Sequence, residues 1–194
     1  MSTAPSCKKL FTLAVGYLLL GLVPALSQQL DHGFMPKGGK TLLLEFLGSA
    51  ASDKDVRAII EARRSEPEWR KTMERGAKGG LSEIELRTLA AYLATNMPVA
   101  DAESVAAQTA KPDDLAATLP RDGRELAWQE CQFCHSLFTS HLTQARDVQA
   151  WLNMFQSPFH RELKMTAQER REFSFYSAIN MPMRIEDVPS ELRF

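Results

Sequence analysis

Two cysteines and a histidine lie within five residues of each other, as Cys131-Gln132-Phe133-Cys134-His135. Two intervening residues let one helical turn present both thiols, and paired thiols can add across the two vinyl groups of one haem. The histidine beside the second cysteine then supplies a nitrogen ligand to the iron. We therefore expect one covalent haem c, attached through Cys131 and Cys134, with His135 as the proximal iron ligand.

Two other chemistries also use a Cys-x-x-Cys pair. A structural zinc site needs two further cysteine or histidine ligands, for which His141 and His160 are the candidates. A redox-active pair stands at the start of a helix that follows a strand, and no strand is predicted before Cys131. His141 itself is expected in a surface loop, because it follows the motif by only six residues.

Residues 1–27 have the pattern of a secretory signal peptide. Lys8 and Lys9 precede an apolar run over 10–26, and small residues stand at the positions that a signal peptidase recognises, ending at Ser27. The pattern predicts export to the periplasm, where haem c is attached, and so favours haem over zinc. The alternative is an uncleaved membrane anchor, because about 17 apolar residues reach the lower limit for crossing a bilayer.

The remainder of the chain has helical periodicity and no predicted strand, so we expect an all-α fold. Serine or threonine stands at several predicted helix starts, and Thr166 with Glu169 three residues later forms a capping box. A net charge of −1 and the lack of a basic helix face give no indication of a nucleic-acid partner. Helices are predicted at about 41–48, 53–64, 67–75, 82–95, 122–131, 147–157 and 166–179.

The two halves of the chain repeat with a constant offset of 84 residues. This predicts two copies of one helical module, over 35–98 and 121–182. Residues 99–120 are expected to be a linker with room for one short helix, the alternative being a further packed helix, and 183–194 a tail over the surface or against a partner. The matched residues are Gly39 with Gly123, Tyr92 with Tyr176, and Asn96-Met97-Pro98 with Asn180-Met181-Pro182.

The first module lacks the haem motif, because the same offset places Leu47, Ala50 and Ala51 at the positions of the two cysteines and the histidine. We therefore expect it to be haem-free. Trp128 and Trp151 are the aromatic candidates for the wall of a haem pocket in the second module, with ordinary core packing as the favoured alternative.

From about residue 122 to 182 the chain resembles a class I cytochrome c domain. The helix from Gly123 leads into the Cys-x-x-Cys-His motif as the first helix of that family does, and the helix capped by Thr166 resembles its last helix. The resemblance implies an all-α cytochrome c-like module in which these two helices cross, with Gly123 near Tyr176.

The sixth iron ligand follows less directly from the resemblance. The family supplies a methionine shortly before its last helix, and counting back from Thr166 leads instead to His160. Met181 follows the last helix, and its counterpart Met97 occurs in the half without a haem motif, which favours a structural role for Asn-Met-Pro. His160 is the leading candidate, and an open site is a further possibility. The alternative ligands are Met154, Met181 and Met183.

The resemblance implies a periplasmic monohaem cytochrome that carries single electrons between redox proteins, a periplasmic dehydrogenase among them. No substrate-binding motif is found, so we do not expect an enzyme in its own right. A membrane partner is expected only if the signal segment stays as an anchor. Two alternatives are an electron-exit subunit of a larger oxidoreductase complex and a haem-based ligand sensor.

Overall fold

A computed structural model describes residues 32–48, 52–77, 80–100, 112–132 and 134–193. Within these ranges the secondary structure is helical and contains no strand, which confirms the all-α fold. The predicted signal peptide at 1–27 lies outside the described residues, as do 101–111 of the predicted linker. In the part of the chain that is described, no helix combines the length and the apolar character needed to cross a bilayer.

The described ranges contain nine α-helices. Seven of them correspond to the predicted helices with shifts at their ends, one is the short helix allowed in the linker, and Pro158–Arg161 was not predicted. Each long helix begins at a capping residue. The Ser82 and Thr166 side chains accept from the backbone N–H groups of Glu85 and Glu169, as the capping-box pattern predicts. The helices are α1 Gly39–Leu47, α2 Asp53–Ile60, α3 Glu66–Gly76, α4 Glu83–Asn96, α5 Pro112–Thr118, α6 Gly123–Leu126, α7 Val148–Met154, α8 Pro158–Arg161 and α9 Ala167–Asn180.

Two stretches form wider π-type turns, and three short segments form 3-10 turns. The π-type turns cover Ala127–Cys131, which continues α6, and Phe138–Leu142. They flank the cysteine motif on both sides. The 3-10 turns are His32–Phe34, Ile185–Asp187 and Ser190–Leu192.

The buried apolar side chains form two clusters. The first joins α1 to α4 around the fully buried Trp69, and it includes Leu115 and Leu119 from the region predicted to be a linker. The short helix allowed there is thus present as α5, and it packs against the first core. The second cluster surrounds Trp151 and includes Val188, so the C-terminal tail contributes to the core of the second half.

A glycine allows a close helix crossing in each half. A Cβ at Gly39 would overlap the Cβ of Tyr92, which brings α1 against α4. A Cβ at Gly123 would overlap Tyr176 in the same way, which brings α6 against α9. The second contact is the one that the family resemblance predicts.

The longest helices, α4 and α9, exchange side-chain hydrogen bonds across their interface. Asn96 at the end of α4 donates its Nδ2–H to Glu172 on α9 at 3.1 Å. Asn180 at the end of α9 donates to Thr88 on α4 at 3.0 Å. Both asparagines also donate back to the tyrosine carbonyl four residues earlier, so the Asn of Asn-Met-Pro closes its own helix and binds the other one.

One carboxylate caps two helices at once. Asp122 accepts from the Glu125 N–H at 3.0 Å at the start of α6, and from the Lys40 N–H at 3.1 Å in the first turn of α1. Gly38 makes this possible, because a Cβ there would collide with the Asp122 carboxylate. The pairing places the starts of α1 and α6 side by side.

Candidate functional site

The two cysteines and the histidine of the motif lie on the wall of one cavity of about 390 Å³ in the second half. Cys131 ends the π-type turn that continues α6, and His135 follows before the next turn begins. Residues of α7, α8 and α9 close the other sides. The lining residues are Glu130, Cys131, Cys134, His135, Ser140, His141, Trp151, Met154, Phe159, His160, Leu163 and Phe173.

The cavity brings together two imidazole rings, that of His135 in the cysteine motif and that of His160 in α8. The ring centroids of His135 and His160 are 6.2 Å apart, with an angle of 76° between the ring planes. An imidazole nitrogen binds a metal at about 2 Å, so two imidazoles on opposite sides of one ion have their ring centres about 6 Å apart. The observed separation therefore suits two ligands of a single metal.

His160 is oriented by the residue that caps its helix. Ser157 Oγ lies 2.8 Å from His160 Nδ1, and the same Oγ accepts from the His160 backbone N–H at 3.4 Å. Partial burial, followed by the charge of His135, lowers the pKa of His160 below its usual value. A neutral ring with Nδ1 engaged by Ser157 keeps Nε2 as the nitrogen available for a ligand bond.

The methionine candidates separate into two groups. Met154, at the end of α7, lines the cavity together with His135 and His160. Met181 is buried in the second core where α9 ends, and Met183 packs against that core while its backbone N–H donates to Leu142 at 2.7 Å. Neither of these two is among the cavity-lining residues. Met181, like Met97, thus occupies a packing position next to an asparagine that binds across the helix interface.

The two thiols differ in their surroundings. Cys131 is partly buried and Cys134 is exposed, and both are free. Burial raises the pKa of the Cys131 thiol to about 12, with smaller contributions from Glu130 and Cys134. Redox-active Cys-x-x-Cys pairs lower the pKa of one thiol instead, so these surroundings do not suit thiol–disulfide exchange.

His141 is buried, so its expected place in a surface loop is wrong. The π-type turn Phe138–Leu142 folds beneath α9, and the His141 ring packs 5.2 Å from the rings of both Trp151 and Phe173. Only 2% of the residue is exposed. The histidine side chain fills an apolar space against these two rings despite its polarity. Spacing in the sequence does not show that this space exists.

The hydrogen bonds of His141 define its tautomer. Ser177 Oγ donates to the Phe173 carbonyl at 2.7 Å, so it accepts from His141 Nε2–H at 2.8 Å. Nδ1 is then a bare acceptor, and it has no hydrogen-bond partner among the described residues. Burial lowers the pKa of His141 to about 3, with a smaller effect from Arg146, so the ring is neutral.

Within the described ranges, no group of three or more His, Cys, Asp or Glu side chains could hold a metal ion, which gives no support to the zinc alternative.

An arginine stacks on the tryptophan of the cavity wall. The Arg146 guanidinium carbon lies 5.0 Å from the ring centroid of Trp151, and the buried Trp151 Nε1–H has no acceptor among the described residues. Trp128 lies elsewhere, against Phe34 and beside a separate cavity of about 310 Å³. Of the two aromatic candidates for the pocket wall, the structure places only Trp151 in the cavity with the cysteine motif.

The sequence comparison of the halves missed a second shared motif. Arg64 lies over Trp69 at 4.8 Å, the same stacking as in the Arg146–Trp151 pair. Both pairs have the spacing Arg-x-x-x-x-Trp, but their offset is 82 residues and not the 84 of the other matches. Allowing a two-residue gap in the alignment of the halves would have found it.

Comparison with known proteins found no matching family model, no matching curated protein and no matching solved structure.

Proposed function

We propose that this chain is a periplasmic monohaem c-type cytochrome that transfers single electrons between redox protein partners. One haem c is attached through Cys131 and Cys134, and His135 and His160 are its iron ligands. The observation that carries the proposal is the cavity in which both thiols and both imidazoles meet, with the two rings 6.2 Å apart.

The residues present fit this group in three ways. The thiols and His135 are the attachment pattern, and His160 offers a neutral nitrogen across the cavity. Aromatic and aliphatic side chains line most of the remaining wall. The Arg146 guanidinium, which stacks on Trp151 of the cavity wall, suits an anionic acceptor, and haem has two carboxylates. The haem, when bound, supplies an iron that cycles between the ferrous and ferric states.

The chain's own residues determine what this iron can do. Two histidine ligands leave no open position, so the site would exchange electrons and would not bind small molecules. A second histidine is a stronger donor than methionine and favours a lower reduction potential. Phe173 and Trp151 keep water from the inner wall, whereas Phe159 is 87% exposed at the cavity and offers an apolar contact to a partner.

We also propose that 35–98 and 121–182 are two cytochrome c-like modules, of which the first is haem-free. Three pairs of contacts support this: the glycine–tyrosine crossings, the reciprocal asparagine bonds, and the two arginine–tryptophan stacks. In each pair, the same contact occurs at corresponding positions of the two halves. A repeat built only from chance helical similarity would not preserve such specific side-chain contacts.

The proposal is tested with the full chain expressed in a host that attaches haem c. We expect a haem stain that persists on a denaturing gel, a sharp reduced spectrum, and no spectral change when carbon monoxide is added to the reduced protein. Absence of covalent haem would overturn the proposal. Carbon monoxide binding would favour a ligand sensor, and stable co-purification with a larger chain would favour a subunit of an oxidoreductase complex.

A further inference from the structure

The first half contains a cavity of its own, of about 480 Å³, between α1, α2 and α3. Apolar side chains form much of its wall, among them Phe46, Ile59 and Met73. None of the described lining residues is a cysteine or a histidine, so the cavity offers nothing that would attach haem or bind its iron. Its volume lies within the usual range of small-ligand pockets, about 300–1,000 Å³.

Three polar side chains of this wall contact one another. Arg64 stacks on Trp69 with its guanidinium carbon 4.8 Å from the ring centroid, and its Nη1–H donates to Thr72 Oγ at 2.9 Å. The Thr72 hydroxyl proton is already used, because it donates to the Glu68 carbonyl at 2.8 Å. Thr72 therefore serves Arg64 only as a neutral acceptor.

This group has more hydrogen-bond donors than acceptors. Trp69 is fully buried, and its Nε1–H has no acceptor among the described residues. Arg64 has no carboxylate within 4.0 Å in the described ranges, so its charge has no direct ion-pair partner there. An anionic acceptor bound beside Arg64 would therefore be favoured, because it would pair with a charge that has no direct partner.

The rest of the wall restricts the ligand further. Apolar side chains require an apolar body, and Arg64 prefers a planar carboxylate, which it can bind through two parallel N–H groups. Asp55 also lines the cavity and would repel any carboxylate close to it, so Arg64 is the position in this wall at which one carboxylate can bind. These features select an amphipathic molecule with one carboxylate.

We propose that the cavity of the first half is a binding site for a small monocarboxylate with an apolar body, whose carboxylate is held by Arg64 where it stacks on Trp69. The site does not depend on haem binding in the second half. Failure of this inference and failure of the proposed electron transfer are therefore distinguishable, because each concerns different residues and a different measurement.

The test uses the full chain and octanoate as the probe, with octanol as the uncharged comparison. Calorimetry measures binding, and the indole N–H resonance of Trp69 reports the contact, its assignment coming from the loss of that resonance in Trp69→Phe. We expect saturable octanoate binding, a shift of this resonance, and much weaker binding of octanol. Arg64→Gln should weaken octanoate binding by about tenfold or more, since a lost charged hydrogen bond is worth at least 1.4 kcal/mol, about one decade.

Arg63→Gln is the matched control, because Arg63 is the adjacent arginine, is exposed, and does not line the cavity. It should bind octanoate as the wild type does. Equal affinity for octanoate and octanol, equal weakening by Arg63→Gln and Arg64→Gln, or no saturable binding would each overturn the inference. Because Arg64 is only partly buried, Arg64→Gln is expected to fold and so to give a clear result even if Trp69→Phe does not.

Discussion

The two cavities have similar walls but different chemistry. Each is lined by a buried tryptophan on which an arginine stacks. In the second half the cavity wall includes two thiols and two imidazoles. In the first half the offset of 84 puts Gly76 at the position of His160, and the ring of Phe46 lies against Gly76, where a Cβ would meet it.

The comparison distinguishes the contacts that hold the helices together from the residues that are proposed to bind haem. The crossings, the caps and the asparagine bonds occur in both halves, so packing and hydrogen bonds that involve none of the proposed haem residues hold these helices. The residues proposed to bind haem occur in one half only, and the helices of the other half form without them.

The largest expected effect is the loss of covalent haem in Cys131→Ala/Cys134→Ala. Without the two thiols no thioether bond can form, so the haem stain on a denaturing gel should disappear completely. Ser136→Ala is the control, because Ser136 is next to the motif but faces the separate cavity near Trp128. It should keep the stain, and persistence of the stain in the double variant would break the proposed difference between the halves.

Adding a methyl group at either helix crossing should destabilise the fold. Gly39→Ala and Gly123→Ala each push a Cβ into a tyrosine, and such overpacking costs about 1–3 kcal/mol in the free energy of unfolding. Urea denaturation of each variant measures this loss in the free energy of unfolding. We expect similar losses in the two variants because the two contacts are alike. A cost at Gly123 with none at Gly39 would show that only one half has a tight crossing.

Glu172 distinguishes the two halves of the α4–α9 interface, since its counterpart is the uncharged Thr88. It is buried, and desolvation followed by the charge of Asp122 raises its pKa to about 8. A carboxyl group whose pKa is higher in the folded state destabilises the fold as pH rises from its unfolded value near 4.5 to about 8. This group therefore reduces the free energy of unfolding across that window.

Glu172→Gln should remove this pH dependence, and its single amide oxygen keeps an acceptor for one of the two N–H groups, Asn96 or Gly123, that Glu172 accepts from. We expect the variant to gain stability relative to wild type as pH rises from 5 towards 8, in urea denaturation at several pH values. His141 acts in the opposite direction, because its lowered pKa destabilises the fold as pH falls below about 6.5, and it is unchanged in the variant. Parallel pH profiles for the two proteins would contradict the assignment.

The smallest effects are expected at a reciprocal pair of contacts between α1 and α6. Lys40 Nζ contacts Glu125 at 2.9 Å, and Arg124 donates to Thr41 at 3.0 Å. Each is partly exposed, so Lys40→Met and Arg124→Met should each cost no more than about 1 kcal/mol. Thermal denaturation at low and high salt checks this, and a loss several times larger would assign these contacts a greater role in joining the halves.

Much of the fold follows from local sequence signals. Serine or threonine caps with a glutamate three residues later fix the starts of α4 and α9, and these helices begin where predicted. The wider turn at Ala127–Cys131 was not predicted, because its side-chain pattern is the same as that of an ordinary helix. The packing of α5 depends on Leu115 and Leu119 finding space in the first core, which is a property of tertiary structure.

The candidate site shows the same division. Short spacing identified Cys131, Cys134 and His135 at once, and a family position pointed to His160. The sequence could not show that Met154 lines the cavity whereas Met181 and Met183 do not, because that depends on how α7 and α9 are oriented. The buried position of His141 and the shared arginine–tryptophan pairs emerged only from side-chain contacts.

The most direct test of the central claim is the visible spectrum of the haem-loaded protein, with His160→Ala and Met154→Leu beside the wild type. We expect a low-spin wild-type spectrum without a methionine-to-iron charge-transfer band, a change to high spin with carbon monoxide binding in His160→Ala, and no change in Met154→Leu. A methionine band that survives in His160→Ala would contradict ligation by two histidines and move the sixth ligand to a methionine.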